Sequence, residues 1–155
     1  MIATVATVLF VCTGTAGGNS PAQVVVDYLD ALARRDFVTA HGLLTENMTG
    51  GLDAWAWTIQ QQRIFKQSRV EIFGFDTYET TVSDETAAVP NVLRSRDAMI
   101  NTEGEPEYEV YQLVKRNGRW LIDRQRLAKK AELEKLFRRR VHRRDVAASA
   151  ATPDR

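Results

Sequence analysis

Cysteine is almost absent from this 155-residue chain: Cys12 stands alone. A single thiol forms no intramolecular disulfide, so a disulfide-stapled scaffold is excluded. Histidine is nearly as scarce. His41 and His142 lie about a hundred residues apart with no second cysteine near either, which is not a metal-ligand spacing. Neither a metal nor a cofactor is expected. Glycine (9) and proline (4) are too few for collagen-like or low-complexity chains. The pairs Gly17-Gly18 and Gly50-Gly51 lack the lysine of a phosphate-binding loop, and no serine sits in a nucleophile elbow. The longest apolar run, Ile2 to Val11, rises only ~15 Å as a helix, half of the ~30 Å bilayer core. Excess charge of one sign is missing too. A net +1 excludes a uniformly basic nucleic-acid binder.

Hydrophobic residues make up 44% of the chain, enough for one domain with its own core. No charged side chain precedes Asp27. An uncharged apolar stretch followed by Gly14-Thr15-Ala16 has the length of a signal-peptide core and the small-x-small pattern of a cleavage site. Leu9 and Cys12 stand at lipobox spacing, which marks Cys12 as a lipidation candidate. Residues 1–19 are therefore expected to form a leader and tether, and the product to be exported to the envelope or held near a membrane.

The expected folded body spans residues 20–127. Ser20-Pro21 is a helix start, and Val24, Val25, Tyr28, Leu29 and Leu32 recur at helical spacing behind it. Asp36 caps a second helix over Phe37 to Leu44. A third runs from Leu52 to about Lys66, with Leu52, Trp55, Ile59 and Phe65 inward. Trp55 and Trp57, two residues apart, face different ways on a helix. From Ser68 the period changes to two. Four strands follow, over Arg69–Thr81, Thr86–Thr102 (with Pro90 at a bulge or edge), Tyr108–Val114 and Arg119–Leu127. Asn117-Gly118 is the hairpin turn between the last two. The fold class is α+β: three helices on a curved four-stranded antiparallel sheet.

The segment Ser20 to Leu44 (SPAQVVVDYLDALARRDFVTAHGLL) and the closing Val114 to Asp123 (VKRNGRWLID) resemble the opening helix pair and final hairpin of nuclear-transport-factor-2-like domains, closest in kind to small exported or lipoprotein members. The resemblance implies a cone-shaped half barrel enclosing an apolar pocket. It puts Tyr28, Trp55, Tyr78, Val110 and Gln112 around that pocket. Tyr28 falls near the tyrosine that ketosteroid isomerases use to stabilise an oxyanion, and Asp53 near their general base. Their third member is a protonated acid on the strand before the final hairpin. With Val110 and Gln112 inward, Glu109 is expected on the other face, so the isomerase set is incomplete.

Charge is segregated along the chain. Residues 1–123 carry −6, and residues 124–144 carry +8. Leu133, Leu136, Phe137 and Val141 share one helical stripe, so residues 128–145 are expected to form a basic amphipathic helix. Lys129, Lys130, Arg138, Arg139, Arg140, Arg143 and Arg144 would meet an anionic surface such as a membrane. Residues 146–155 are expected to form a disordered tail. Three readings follow. The first is a non-enzymatic, exported or membrane-associated domain that binds a small apolar ligand or a partner protein, including a second copy of itself. The second is a small isomerase, dehydratase or hydrolase using Tyr28 and Asp53. The third is a cytosolic module whose basic tail touches nucleic acid.

Overall fold

In the computed structural model, residues 19–146 are described. The expected leader with Cys12, and the tail beyond residue 146, lie outside them. Helix α1 (Pro21–Ala33) starts as its sequence dictates. The Ser20 hydroxyl accepts the Gln23 N–H at 3.2 Å, and Pro21 occupies the first turn, where an N–H has no partner. The buried face of α1 is Val24, Val25, Tyr28, Leu29 and Ala31. Asp36 caps α2 (Phe37–His41) by accepting the Thr39 N–H at 3.1 Å. A four-residue helix, α3 (Glu46–Thr49), falls where only a break was expected. Then α4 runs over Ala54–Gln67.

The inward face of α4 differs from expectation. Trp57 and Phe65 are buried, whereas Trp55 is 75% exposed and Leu52 and Ile59 are 37% and 39% exposed. Trp57 meets His41 edge-on at 5.7 Å, and Phe65 meets Phe37 at 5.0 Å. The apolar residues of α4 occupy two stripes, and helix periodicity alone does not say which one the sheet receives.

Six strands follow: β1 (Glu71–Tyr78), β2 (Thr81–Val82), β3 (Thr86–Arg96), β4 (Glu107–Arg116), β5 (Arg119–Leu127) and β6 (Arg140–Asp145). The sheet order is β5-β4-β3-β1-β6, with β2 beside β3 and all pairings antiparallel. The four expected strands are β1, β3, β4 and β5. Asn117 and Gly118 have φ of 50° and 77°, both positive as a two-residue hairpin turn of this hand requires. Pro90 lies in a central strand yet keeps an edge-like position. The β1 ladder ends at Asn91 and the β2 ladder begins at Ala88, so on that side its missing N–H has no neighbour to serve.

The segment expected as a basic helix is not one. After a 3₁₀ turn (Lys130–Glu132), α5 lasts only from Leu133 to Leu136, and Phe137 leaves helical geometry. The chain then pairs as β6 with the free edge of β1. Arginine favours helices, but its propensity is worth only tenths of a kcal/mol. An open strand edge flanked by acids outweighs it. Arg140 reaches Asp76 at 3.4 Å, Arg144 reaches Asp30 on α1 at 3.1 Å, and Arg139 reaches Glu79 at 3.5 Å.

This last segment crosses the outer face of the sheet from the β5 edge to the β6 edge. On the way Phe137 inserts between Tyr78 and Tyr108, with ring centroids 5.1 and 5.0 Å away. Arg126 and Glu132 form a two-bond ion pair with both contacts at 2.8 Å, which holds the Glu132 carboxyl down at about 2. Helices thus cover the inner face and residues 128–139 part of the outer one. Phe137→Ala is expected to lower the unfolding free energy by about 2 kcal/mol, less than for a fully buried Phe because the ring is half-buried. Urea unfolding checks this. Loss below about 0.5 kcal/mol would mean that the crossing segment does not depend on the aromatic wedge.

Candidate functional site

The five residues expected around one pocket are distributed over three surfaces. Tyr28 is buried between α1 and the sheet, its ring edge-on to Tyr111 at 6.1 Å. Because Tyr111 faces α1, strand alternation sends Val110 and Gln112 to the outer face. There Val110 is buried and Gln112 exposed. Tyr78 packs under Phe137 on the outer side, and Trp55 points to solvent on α4. Asp53, the other acid/base candidate, is the N-cap of α4. It is exposed, and its carboxylate accepts the Ala56 N–H at 2.8 Å. Tyr28 and Asp53 are therefore not partners in one buried site.

The buried acid on the Tyr28 side of the sheet is Glu109, which bonds the Tyr111 hydroxyl and lies on the face opposite to the one expected from sequence. Its side chain is buried on the inner side among hydrogen-bond donors. Oε2 accepts from the Tyr111 hydroxyl at 3.0 Å and from Asn91 Nδ2 at 3.2 Å, and Oε1 accepts from Gln125 Nε2. Burial pushes the Glu109 carboxyl above the usual range despite the three donors, which pull the other way. Burial, with the charge of Glu109 added, also raises the hydroxyls of Tyr28 and Tyr111.

Register extends this knot across the sheet. Glu109 pairs with Asn91, Asn91 with Thr77, and Thr77 with His142. Asn91 Oδ1, Thr77 Oγ1 and His142 Nε2 are buried and have no hydrogen-bond partner among the described residues. Through these contacts the knot joins β3, β4 and β5 on the inner face of the sheet.

The accessible features are on the surface. A cleft of about 390 Å³ lies on the outer face, floored by Ala88 and rimmed by Thr81, Thr86, Gln112 and Arg124. On α4, Trp55 and Ile59 form an exposed apolar ridge at i and i+4, with Leu52 exposed just ahead of the Asp53 cap. No helix among the described residues is long and apolar enough to cross a membrane, and no group of three or more metal-ligating side chains gathers among them. Of the residues expected to meet an anionic surface, Arg139, Arg140, Arg143 and Arg144 are held in ion pairs. Arg138 donates to the Glu134 carbonyl at 2.7 Å, Lys129 caps the 3₁₀ turn and Lys130 is its first residue.

A carboxyl whose pKa is raised by folding favours the native state when protonated. That contribution is complete below the unfolded value near 4.5 and is lost as pH rises through the folded value. Wild-type stability should therefore carry a one-proton decline above pH ~4.5 that Glu109→Gln lacks. Urea unfolding of both proteins between pH 4 and 8 checks this; parallel curves would refute it. Thr77→Val, which replaces an orphaned hydroxyl by a methyl of the same shape, should stabilise by about 1 kcal/mol in the same assay.

No protein-family model matches the chain, and no curated protein matches its sequence. Solved structures do match. A SEC-C motif containing protein from Rhodopseudomonas palustris aligns at TM-score 0.56 and 15% identity, over 72% of this chain and 83% of that one. A domain of unknown function with a cystatin-like fold from Nostoc punctiforme aligns at TM-score 0.52 and 16% identity, over 75% and 78%. A ketosteroid isomerase-like protein from Erwinia carotovora atroseptica aligns at 0.49 and 18%, over 66% and 88%. The chain spans only 39% of the length of another match, from Bdellovibrio bacteriovorus. At these identities the likeness concerns the fold alone. The chain has an α+β fold with an open antiparallel sheet, and it shares that fold with the Rhodopseudomonas palustris protein and the cystatin-like Nostoc domain.

Proposed function

We propose that this chain is a non-catalytic binding domain that engages a partner protein through the α4 ridge of Trp55 and Ile59, with Leu52 ahead of it. One observation carries the reading: Trp55 is 75% exposed on an ordered helix while Trp57, two residues on, is buried. Burying a Trp, Leu or Ile side chain contributes roughly 1.5–3 kcal/mol, so a folded protein leaves a row of them in water at a cost. Trp is also the residue most enriched among those that dominate interface energetics. The competing enzyme reading lacks its parts. Asp53 is engaged in capping, and the buried carboxyl of Glu109 is already bonded to three donors.

The ridge belongs to a domain that we place in the cell envelope. The uncharged apolar stretch Ile2 to Val11, followed by Gly14-Thr15-Ala16, supports that placement. Cys12 offers a lipid attachment point there. Intact-mass analysis of the native protein decides between a product shortened within residues 1–16, with or without an acyl group, and an unprocessed chain.

Trp55→Ala is expected to leave stability within about 0.5 kcal/mol of wild type, since the side chain contributes little to the core. A photo-crosslinking residue at position 55 in cells identifies the partner. The purified partner should then bind Trp55→Ala at least about tenfold more weakly than wild type. Equal affinity for the two, or the same crosslinks from the exposed control position Arg116, would remove the ridge as the binding surface.

A further inference from the structure

Among the described residues β6 pairs with β1 only, so one side of it is an open sheet edge. The register tells which backbone groups that edge offers. Val146 N donates to Phe73 O at 2.7 Å, and Phe75 pairs with Arg144 and Thr77 with His142. In an antiparallel ladder the residues turned toward the neighbour alternate. Residues 146, 144 and 142 therefore spend their N–H and C=O groups on β1, and Arg143 and Asp145 turn theirs to the open side. Side chains alternate as well. Arg144 reaches α1 through Asp30 on the inner face, while Arg143 lies on the outer face beside Asp145 at 3.0 Å.

The stretch 138–145 contains five arginines and a single acid, Asp145. Each ion pair that these arginines make leaves guanidinium donors over, since every guanidinium has five. Arg139, Arg140, Arg143 and Arg144 are about half exposed or more. An extended strand laid against β6 would find backbone partners at Arg143 and Asp145, with guanidinium groups above and below.

From this geometry we infer that the open edge of β6 is a strand-addition site for an extended acidic segment of a partner protein. Main-chain hydrogen bonds to residues 143 and 145 provide the attachment, and carboxylates at alternate positions provide the selectivity. A basic segment is rejected by like charge. A neutral one gains only the backbone bonds. The site is separate from the α4 ridge, so failure at one does not bear on the other.

The test uses the full chain and a fluorescein-labelled octapeptide of alternating Glu and Thr, read by anisotropy. The expected result is binding at least about tenfold tighter than for the matching Gln–Thr peptide, weakening with added salt, and lost when every peptide amide is N-methylated. Arg143→Pro deletes the outward N–H without removing a bond to β1 and should weaken binding at least about tenfold. Arg143→Gln keeps that N–H and should weaken it only about two- to threefold. The inference is overturned if the Gln–Thr peptide binds as tightly, or if the N-methylated peptide or Arg143→Pro retains full binding, which would reduce the contact to charge adsorption. Absence of binding by any peptide overturns it as well, and leaves the arginines as a guard against edge-to-edge aggregation.

Discussion

The pairing of β6 with β1 is the contact on which the arrangement of this domain turns. It fixes the end of a segment that has crossed the outer face of the sheet, and its fastening is electrostatic. Asp76, nearly buried, receives Arg94 at 2.8 Å and Arg140 at 3.4 Å, and Arg94 also bonds Asp145 and the Arg144 carbonyl. Space for this exists because residue 74 is glycine. A Cβ there would collide with the Arg144 carbonyl and with the Arg94 guanidinium 2.5 Å away. β6 itself is largely exposed, so little apolar burial assists. Exposed ion pairs are weak one by one. What holds the strand is a set of them spread over the buried Asp76, Asp30 and Asp145, together with the ladder.

Covering the sheet on both faces has a second effect, on β4. In a one-sided sheet a strand alternates apolar and polar, and the alternation declares which face is the core. β4 reads Tyr108-Glu109-Val110-Tyr111-Gln112-Leu113-Val114 and has apolar residues on both sides, because helices lie inside and the Phe137 segment outside. The usual signal is thereby erased at the strand that carries Glu109. Sequence alternation therefore points Glu109 outward and Val110 and Gln112 inward, the reverse of their placement in the structure. The only clue to the right face was the aromatic at 111 facing the one at 28, a pairing that requires knowing where α1 lies.

The interior polar groups tie strands together. Glu109 links Asn91, Tyr111 and Gln125 on three adjacent strands, and the row continues to Thr77 and His142 with three polar atoms unpaired among the described residues. Such a knot specifies register, since sliding any strand by one residue would strand a charge in the core.

Local rules, acting on neighbours in sequence, determined the caps at Ser20, Asp36 and Asp53, the Asn117-Gly118 turn and the four strands β1, β3, β4 and β5. The sequence also determined a segregation of charge, −6 before residue 124 and +8 just after it, that a net of +1 conceals. Three matters were left to tertiary structure: which stripe of α4 turns inward, which face of β4 is the core, and whether residues 128–145 remain helical. Each is a choice between alternatives of nearly equal local energy. Trp55 and Trp57 are equally apolar, Glu109 and Val110 are one residue apart, and arginine accepts a helix or a strand at a difference of tenths of a kcal/mol. Such ties are settled by contacts distant in sequence, and here the acidic residues of α1 and β1 settled the last of them by drawing the basic segment onto the body as a sheet edge.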